Sequence, residues 1–357
     1  MIGKVVYELP PTVENRRNSE GSFITLKDGG ILYIYSRFSS QGWADHAEAD
    51  LYGILSRDCG ETFGEPFPVL LHGSVQASNV MSPSLLRLQN GDIGLFFGAK
   101  TDATHCRYLL VRSRDEGRTW GEPVLCSGAE GYYVVHNDRA IRCENGRILV
   151  PASHHPTKTD RDGITYFPGI LTLFASDDDG RNWKTLPGTA RIPVSRGCST
   201  GVQEPGLLET AGGALWCFLR TNGGQQYECF SSDRGNSWSQ PLPSPFSSPE
   251  APMSMKRLWD GRLLAVWNPV PFYNGRTVAE SRWIWARTPL VMALSSDDGK
   301  TFSMPIPIET DTNSGYSYTA IHETEDGHVL LAYCAGSTSD ECMLNRLRLR
   351  KLPLSSL

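Results

Sequence analysis

Short apolar runs bounded by polar turns recur along this chain, and they set its expected architecture. Leu51 to Leu55, Tyr108 to Arg112, Ile170 to Phe174, Tyr227 to Phe230 and Val291 to Leu294 have the length and residue content of strands. No long stretch shows the 3.6-residue period of an amphipathic helix. Six times an apolar run follows a tight-turn signal. The copies are Lys27-Asp28-Gly29-Gly30-Ile31-Leu32, Gln89-Asn90-Gly91-Asp92-Ile93, Glu144-Asn145-Gly146-Arg147-Ile148-Leu149, Thr210-Ala211-Gly212-Gly213-Ala214-Leu215, Trp259-Asp260-Gly261-Arg262-Leu263-Leu264 and Glu325-Asp326-Gly327-His328-Val329-Leu330. Five carry Asx-Gly and the fourth Gly-Gly, both of which make hairpin turns.

A second repeat lies in register with the first. The pattern S-x-D-x-G-x-T-W runs from Ser113 to Trp120 and returns at Ser56 to Phe63, Ser176 to Trp183, Ser231 to Trp238 and Ser295 to Phe302. Asp, Gly and a closing Trp or Phe hold their places in all five. The Asp accepts bonds from backbone N–H groups ahead of it, Gly supplies a position with φ > 0, and the aromatic anchors the turn. Each unit of about 60 residues then reads strand, Gly turn, strand, loop, strand, Asp turn, strand. Six four-stranded antiparallel sheets predict an all-β, six-bladed β-propeller, expected as a single domain over residues 1–357. A pair of β-sandwiches is the alternative, but it predicts no six-fold period. The sixth unit lacks the Asp motif; its last strand is expected at Leu344 to Leu352, and Lys4 to Glu8 is expected to complete that blade. The Pro/Ser-rich stretch Pro241 to Pro252 reads as a connection between blades.

Composition fits this picture. The 357 residues include 35 Gly, 23 Pro, 9 Trp and 13 Tyr, as suits a chain with many turns. The net charge is −5, with acidic and basic residues interspersed, so no attraction to nucleic acid or an anionic membrane is expected. The nine Cys show no CxxC or CxxH spacing and read as buried thiols. The expected location is cytoplasmic if the sequence is complete, and secreted or periplasmic if a leader was removed. His154-His155 lack a third ligand at useful spacing, so no metal and no cofactor are expected.

In a propeller the inner strands line a central channel, so the segments ahead of each Gly turn are where a site would form. They carry polar residues where a strand core should be apolar: Arg16 to Phe23 (with Glu20), Asn79 to Pro83, His136 to Arg139, Gln203 to Gly206, Met253 to Arg257 and Gly315 to Tyr318.

These repeats and segments resemble the sialidase (neuraminidase) superfamily, whose six-bladed propellers carry such Asp boxes. The resemblance implies three arginines that grip the carboxylate of a nonulosonic acid, a task suited to the planar guanidinium fork. Arg17 fits the first, with Arg16 beside it as the alternative; the family's Arg-Ile-Pro is replaced by Arg17-Asn18-Ser19. Arg220 in Leu219-Arg220-Thr221 fits the second, and Arg287 in Arg287-Thr288-Pro289-Leu290 the third. The family's nucleophile is a Tyr activated by a Glu, and Gly315-Tyr316-Ser317 resembles that segment. This implies Tyr316 as nucleophile, with Tyr318 on the same face contacting substrate, and Glu204 as the helper; Glu209 reads as structural. The acid/base is implied on the first-blade loop Ala44 to Asp50, with Asp45 preferred and Asp50 second. Asn137, Asp138 and Arg139 are expected either to select substrate substituents or to hold the blade together. The implied activity is a retaining exo-glycosidase that releases sialic acid or a related sugar from a glycan. The alternatives are a propeller glycosidase for another sugar and a non-catalytic carbohydrate-binding propeller. The sequence leaves the oligomeric state open.

Overall fold

The computed structural model describes residues 2–128, 130–161, 163–271 and 287–356. Its described strands form six blades, with no α-helix among them. Blade 1 is Arg17–Thr25, Ile31–Phe38, Ala49–Ser56 and Phe67–Leu70. Blade 2 is Asn79–Arg87, Ile93–Lys100, Cys106–Ser113 and Val124–Leu125. Blade 3 has a split inner strand, Tyr132–Val134 and Ile141–Arg142, followed by Ile148–His155, Ile170–Ser176 and Lys184–Thr185. Blade 4 is Gln203–Glu209, Leu215–Arg220, Gln225–Ser231 and Leu242–Ser247. Blade 5 is Ser254–Arg257, Leu263–Trp267, Leu290–Ser295 and Ile306–Glu309. Blade 6 takes Ser317–Thr324, His328–Cys334 and Leu347–Pro353 from the chain end. Its outermost strand is the N-terminal Lys4–Leu9, paired antiparallel with Leu347–Pro353 as the repeat predicts.

Two boundaries differ from expectation. Leu242–Ser247 lies in the stretch read as a connection, but pairs with Gln225–Ser231 as the outer strand of blade 4. Prolines are tolerated there because an edge strand need not donate on its open side. The last strand of blade 6 begins at Leu347, and Leu344 belongs to the loop before it. One addition was not legible: a two-stranded hairpin, Thr157–Asp160 with Gly163–Tyr166, rises between the second and third strands of blade 3.

The second strands of blades 2 and 5 are buried throughout, which accounts for their unbroken apolar runs. Cores form between blades as well as within them. One cluster unites Leu32 and Ile34 of blade 1 with Leu95 and Phe97 of blade 2, and another unites Leu264 and Val266 of blade 5 with Val329 and Leu331 of blade 6.

The Asp motif acts as a staple. Within it, Asp115 accepts Thr119 N at 2.9 Å and Thr119 Oγ1 at 2.6 Å, and Ser113 Oγ accepts Gly117 N at 2.7 Å. Gly117 has φ +86°, and a Cβ there would lie 2.7 Å from Leu32 Cδ2 in the preceding blade. Both the backbone and the close approach therefore demand glycine. The neighbouring acidic residue reaches the same blade: Glu116 accepts Lys27 N at 2.9 Å and is gripped by Arg87 at 2.8 and 2.9 Å. Asp179 does the same to Gln89 N, and Asp298 to Ala211 N. In blade 1 a Cβ on Gly60 would meet Leu330 of blade 6, so this contact also joins the first blade to the last.

Hydrogen bonds from the Thr119 side chain and backbone pull the Asp115 carboxyl down to about 2. The other four motif carboxyls also sit at about 2. A carboxyl held below its unfolded value stabilises the fold above that value, near 3.8, and the contribution is lost as pH falls towards 2. Thermal unfolding followed from about pH 5 to about pH 2 should thus show a falling midpoint, with a shallower fall in Asp115→Ala. The same variant should lose about 1 kcal/mol of stability at neutral pH. An unchanged midpoint would remove the motif from the stability of the ring.

Candidate active site

The inner strands share one irregularity near the upper end of the channel. Glu20, Ser82, Asp138, Glu204 and Tyr318 have φ of +50°, +55°, +57°, +38° and +61°. In blades 1, 2, 4 and 6 the strand register slips at this residue. An extra residue in one strand is a β-bulge, and it re-aims the side chains around it. A left-handed conformation in a residue other than glycine is strained, and such strain collects at functional sites.

Two of these bulge residues meet across the channel. The Tyr318 hydroxyl donates to Glu204 Oε1 at 2.9 Å. Arg220, at the end of the neighbouring strand, donates through Nη1 to Glu204 Oε2 and to the Tyr318 oxygen at 3.3 Å. Burial and the adjacent Glu204 carboxylate push the Tyr318 phenol well above its usual range, with Arg220 and Arg287 opposing. Arg287 donates from Nη1 to Ser317 Oγ and from Nη2 to Glu250 O, each at 2.9 Å, and its guanidinium carbon lies 5.5 Å from the centre of the Tyr318 ring. Glu204, Arg220, Arg287 and Tyr318 all line a cavity of about 920 Å³.

Asp45 faces the same cavity from the blade 1 loop. Its Oδ1 accepts Arg17 Nη1 at 2.6 Å, while Lys100 Nζ holds its backbone carbonyl at 2.7 Å. The Asp45 side chain is exposed to the cavity, and the Arg17 guanidinium, with Lys100 adding, holds its carboxyl far below the usual range. Arg17 is only 1% exposed. Besides Asp45 it donates to Glu20 Oε1 at 2.7 Å, Ser19 Oγ at 2.9 Å and Trp43 O at 3.1 Å. Asp45 therefore covers the first arginine. Arg16, its alternative, points to the rim and pairs with Glu341 at 2.6 Å. Burial pushes the Glu20 carboxyl up, against the pull of Arg17. Glu20 supports Arg17 and does not line the cavity.

Several expectations are corrected. Tyr316 is not beside Glu204. It is 1% exposed, packs edge-on against Tyr333 at 6.2 Å and belongs to the core between blades 5 and 6. Burial, with Glu309 adding, raises its phenol to about 12. The bulge at Ser317 to Ala320 breaks the strand alternation, so the two tyrosines face different surroundings. Asp50 is also outside the cavity: its Oδ1 accepts His72 N at 2.8 Å and His72 Nδ1 at 2.7 Å. Of the two roles expected for Asn137, Asp138 and Arg139, the contacts show the bracing one, outside this cavity. Asn137 Nδ2 donates to Gly21 O at 2.6 Å and Tyr318 O at 3.3 Å. Asp138 accepts Ser22 Oγ at 2.8 Å and Ile321 N at 3.2 Å. Arg139 Nη2 donates to Met253 O at 2.6 Å. Glu209 is structural as expected, accepting Glu144 N at 2.7 Å at the far end of the strands.

The cavity also gathers residues that the sequence did not single out, chiefly His46, Tyr132, Tyr166 and Glu250. Tyr132 meets Tyr166 edge-on at 5.2 Å, and Tyr166 arrives on the unforeseen hairpin. Among the described residues no group of three His, Cys, Asp or Glu side chains converges as metal ligands.

Comparison with known proteins bears on the family and the fold. Residues 74–331 match the BNR repeat-like domain. An anhydrosialidase of Macrobdella decora is 26% identical over 248 residues. The chain belongs to the BNR-repeat sialidase superfamily. The aligned stretch covers 63% of this chain and 29% of the Macrobdella protein, so the chain spans only part of that relative. Among solved structures, a leech intramolecular trans-sialidase superposes with a TM-score of 0.72 at 17% identity, covering 100% of this chain and 71% of that one. An intramolecular trans-sialidase from Ruminococcus gnavus gives 0.71 at 16%, covering 99% and 97%. A protein of unknown function from Dyadobacter fermentans gives 0.71 at 19%, covering 98% and 99%. At these identities the superpositions speak for the propeller fold that the superfamily shares.

Removing Arg17 should leave the Glu20 charge buried without its partner. Arg17→Met is expected to cost about 3 to 5 kcal/mol in urea unfolding, and Arg17→Met with Glu20→Gln should recover part of that loss. Equal stability of the single and double variants would show that the pair is not coupled.

Proposed function

We propose that the protein is an exo-acting, retaining glycoside hydrolase that releases a terminal sialic acid or related nonulosonic acid, with Tyr318 as nucleophile. The observation that carries this reading is the Tyr318 hydroxyl bonded to Glu204 and Arg220 in the lining of the cavity. A neutral phenol needs a base to attack carbon, and Glu204 is placed to take its proton. Superfamily membership and the named trans-sialidase and anhydrosialidase relatives support the substrate class.

In this mechanism the substrate carboxylate docks on Arg220 and Arg287 and takes the place of Asp45 on Arg17. The exchange removes the main cation that holds Asp45 ionised, and brings a negative charge close to it. Asp45 can then take up a proton and act as general acid. Tyr318 oxygen attacks the anomeric carbon as its proton passes to Glu204. The bond to the leaving group breaks, and the departing oxygen takes the Asp45 proton. Water then gives its proton to Asp45 and its hydroxyl to the anomeric carbon, while Glu204 returns the proton to Tyr318. The alternative acceptor is a hydroxyl of the released sugar itself, as the names of the intramolecular relatives suggest. Product mass separates the two, because internal transfer yields a product lighter by one water.

Turnover of an aryl sialoside tests the assignment. Tyr318→Phe should lower kcat at least about 100-fold, whereas Tyr316→Phe should stay within about threefold of the parent. The opposite ranking would return the nucleophile to Tyr316. An inactive parent on every nonulosonic acid glycoside would overturn the whole reading. Replacing the substrate carboxylate by a carboxamide should lower kcat/KM by about 1,000-fold, since charge-assisted bonds to two or three guanidinium groups are lost.

A further inference from the structure

Tyr318 has a second kind of neighbour, one that touches its ring and not its hydroxyl. His136 reaches across the channel from the inner segment of blade 3. Its imidazole stacks on the Tyr318 ring with 5.0 Å between centroids and 12° between planes. The side chain is 1% exposed, so no other position is open to it without repacking. His136 Nδ1 lies 2.7 Å from Asn137 O. A carbonyl only accepts, which places the proton on Nδ1 and leaves a lone pair on Nε2. That Nε2 is buried and has no hydrogen-bond partner among the described residues. Burial comes first in keeping the ring neutral, and the guanidinium groups of Arg139, Arg220 and Arg287 add to it. The adjacent Asn137 holds the Tyr318 carbonyl, so one short segment fixes both the backbone and the ring of this residue.

The hydroxyl bonds alone leave one freedom unfixed. The phenol oxygen lies on the axis of rotation about the Cβ–Cγ bond, so contacts to it constrain that rotation weakly. The χ2 torsion of tyrosine is itself broad. Yet the plane of the ring decides where the oxygen lone pair points once the proton has moved to Glu204. A flat partner stacked on the ring sets that plane.

We infer that His136 is a positioning residue, whose stacked ring fixes the plane of Tyr318 so that the phenol oxygen attacks along the productive line. The inference rests on the reading of Tyr318 as nucleophile. His136 touches no reacting atom and passes no proton. Its contribution is orientation, and a small misplacement of a reacting group costs about 100-fold in rate.

The test compares two substitutions in the full chain, His136→Phe and His136→Met. Phenylalanine keeps a flat ring; methionine fills similar volume with a flexible chain. On an aryl sialoside, His136→Met should lower kcat by about 10- to 100-fold with KM within about threefold of the parent, and His136→Phe should restore kcat to within about fivefold. Binding of free sialic acid, measured by calorimetry, should be alike in all three proteins. A parental kcat in His136→Met would overturn the inference, as would His136→Phe as slow as His136→Met. A loss of sialic acid binding or of thermal stability that parallels the loss of kcat would also overturn it, because the effect would then be general damage to the channel. If the parent itself shows no turnover, the failure lies with the proposed function; if the parent is active and the two variants match it, the failure lies with His136.

Discussion

One backbone constraint organises the upper channel. Five of the six inner strands turn a residue left-handed near the same level, and none of the five is glycine. Each costs on the order of 1–3 kcal/mol, so each must be held by its surroundings. Glu20 is held by Arg17 and Ser82, Asp138 by Ser22 and Ile321, and Glu204 by Arg220 and Tyr318. The same twist that strains the backbone brings Glu204 of blade 4 and Tyr318 of blade 6 within a hydrogen bond of each other. A regular strand would alternate side chains between the two faces of its blade and bring no such pair together.

Charge is arranged around that frame in layers. Arg17, Arg220 and Arg287 are buried or nearly so, and each already has polar partners. Burying a guanidinium is costly unless its donors are satisfied. The protein meets this with its own carboxylates and carbonyls, and in blade 1 with Asp45. Under the proposed function a substrate carboxylate would replace Asp45 on Arg17. That exchange would leave the buried charge balanced and free Asp45 from its cation.

The repeat that dominates the sequence serves the opposite end of the blades. Ile93 pairs with Ser113 at the motif end, and Lys100 pairs with Cys106 at the end where it holds Asp45. An eight-residue strand spans about 25 Å, so the staple and the site are separated by the blade's full length. The staples tie each blade to the one before it. The staples and the candidate site thus lie at opposite ends of the blades.

Hydrophobic period and turn chemistry determined most of the fold from the sequence alone. Asx-Gly and S-x-D-x-G-x-T-W patterns are local; each fixes a turn through bonds among residues a few positions apart, so each could be read without knowing what surrounds it. The count of blades, and the N-terminal strand in the last of them, followed from that. Arg220, Arg287 and Glu204 were named through the family resemblance, and the structure brings all three to one cavity. Tyr316 and Tyr318 were not separable in the same way. They are two residues apart, and a regular strand would put them on one face; only the bulge between Ser317 and Ala320, set by packing across the channel, sends one into the core and the other to Glu204. The bracing by Asn137 and Asp138, the stack of His136 on Tyr318 and the cover of Asp45 over Arg17 are likewise contacts between blades distant in sequence. They were decided by the closing of the ring, since no local pattern records which side chains will meet across a channel.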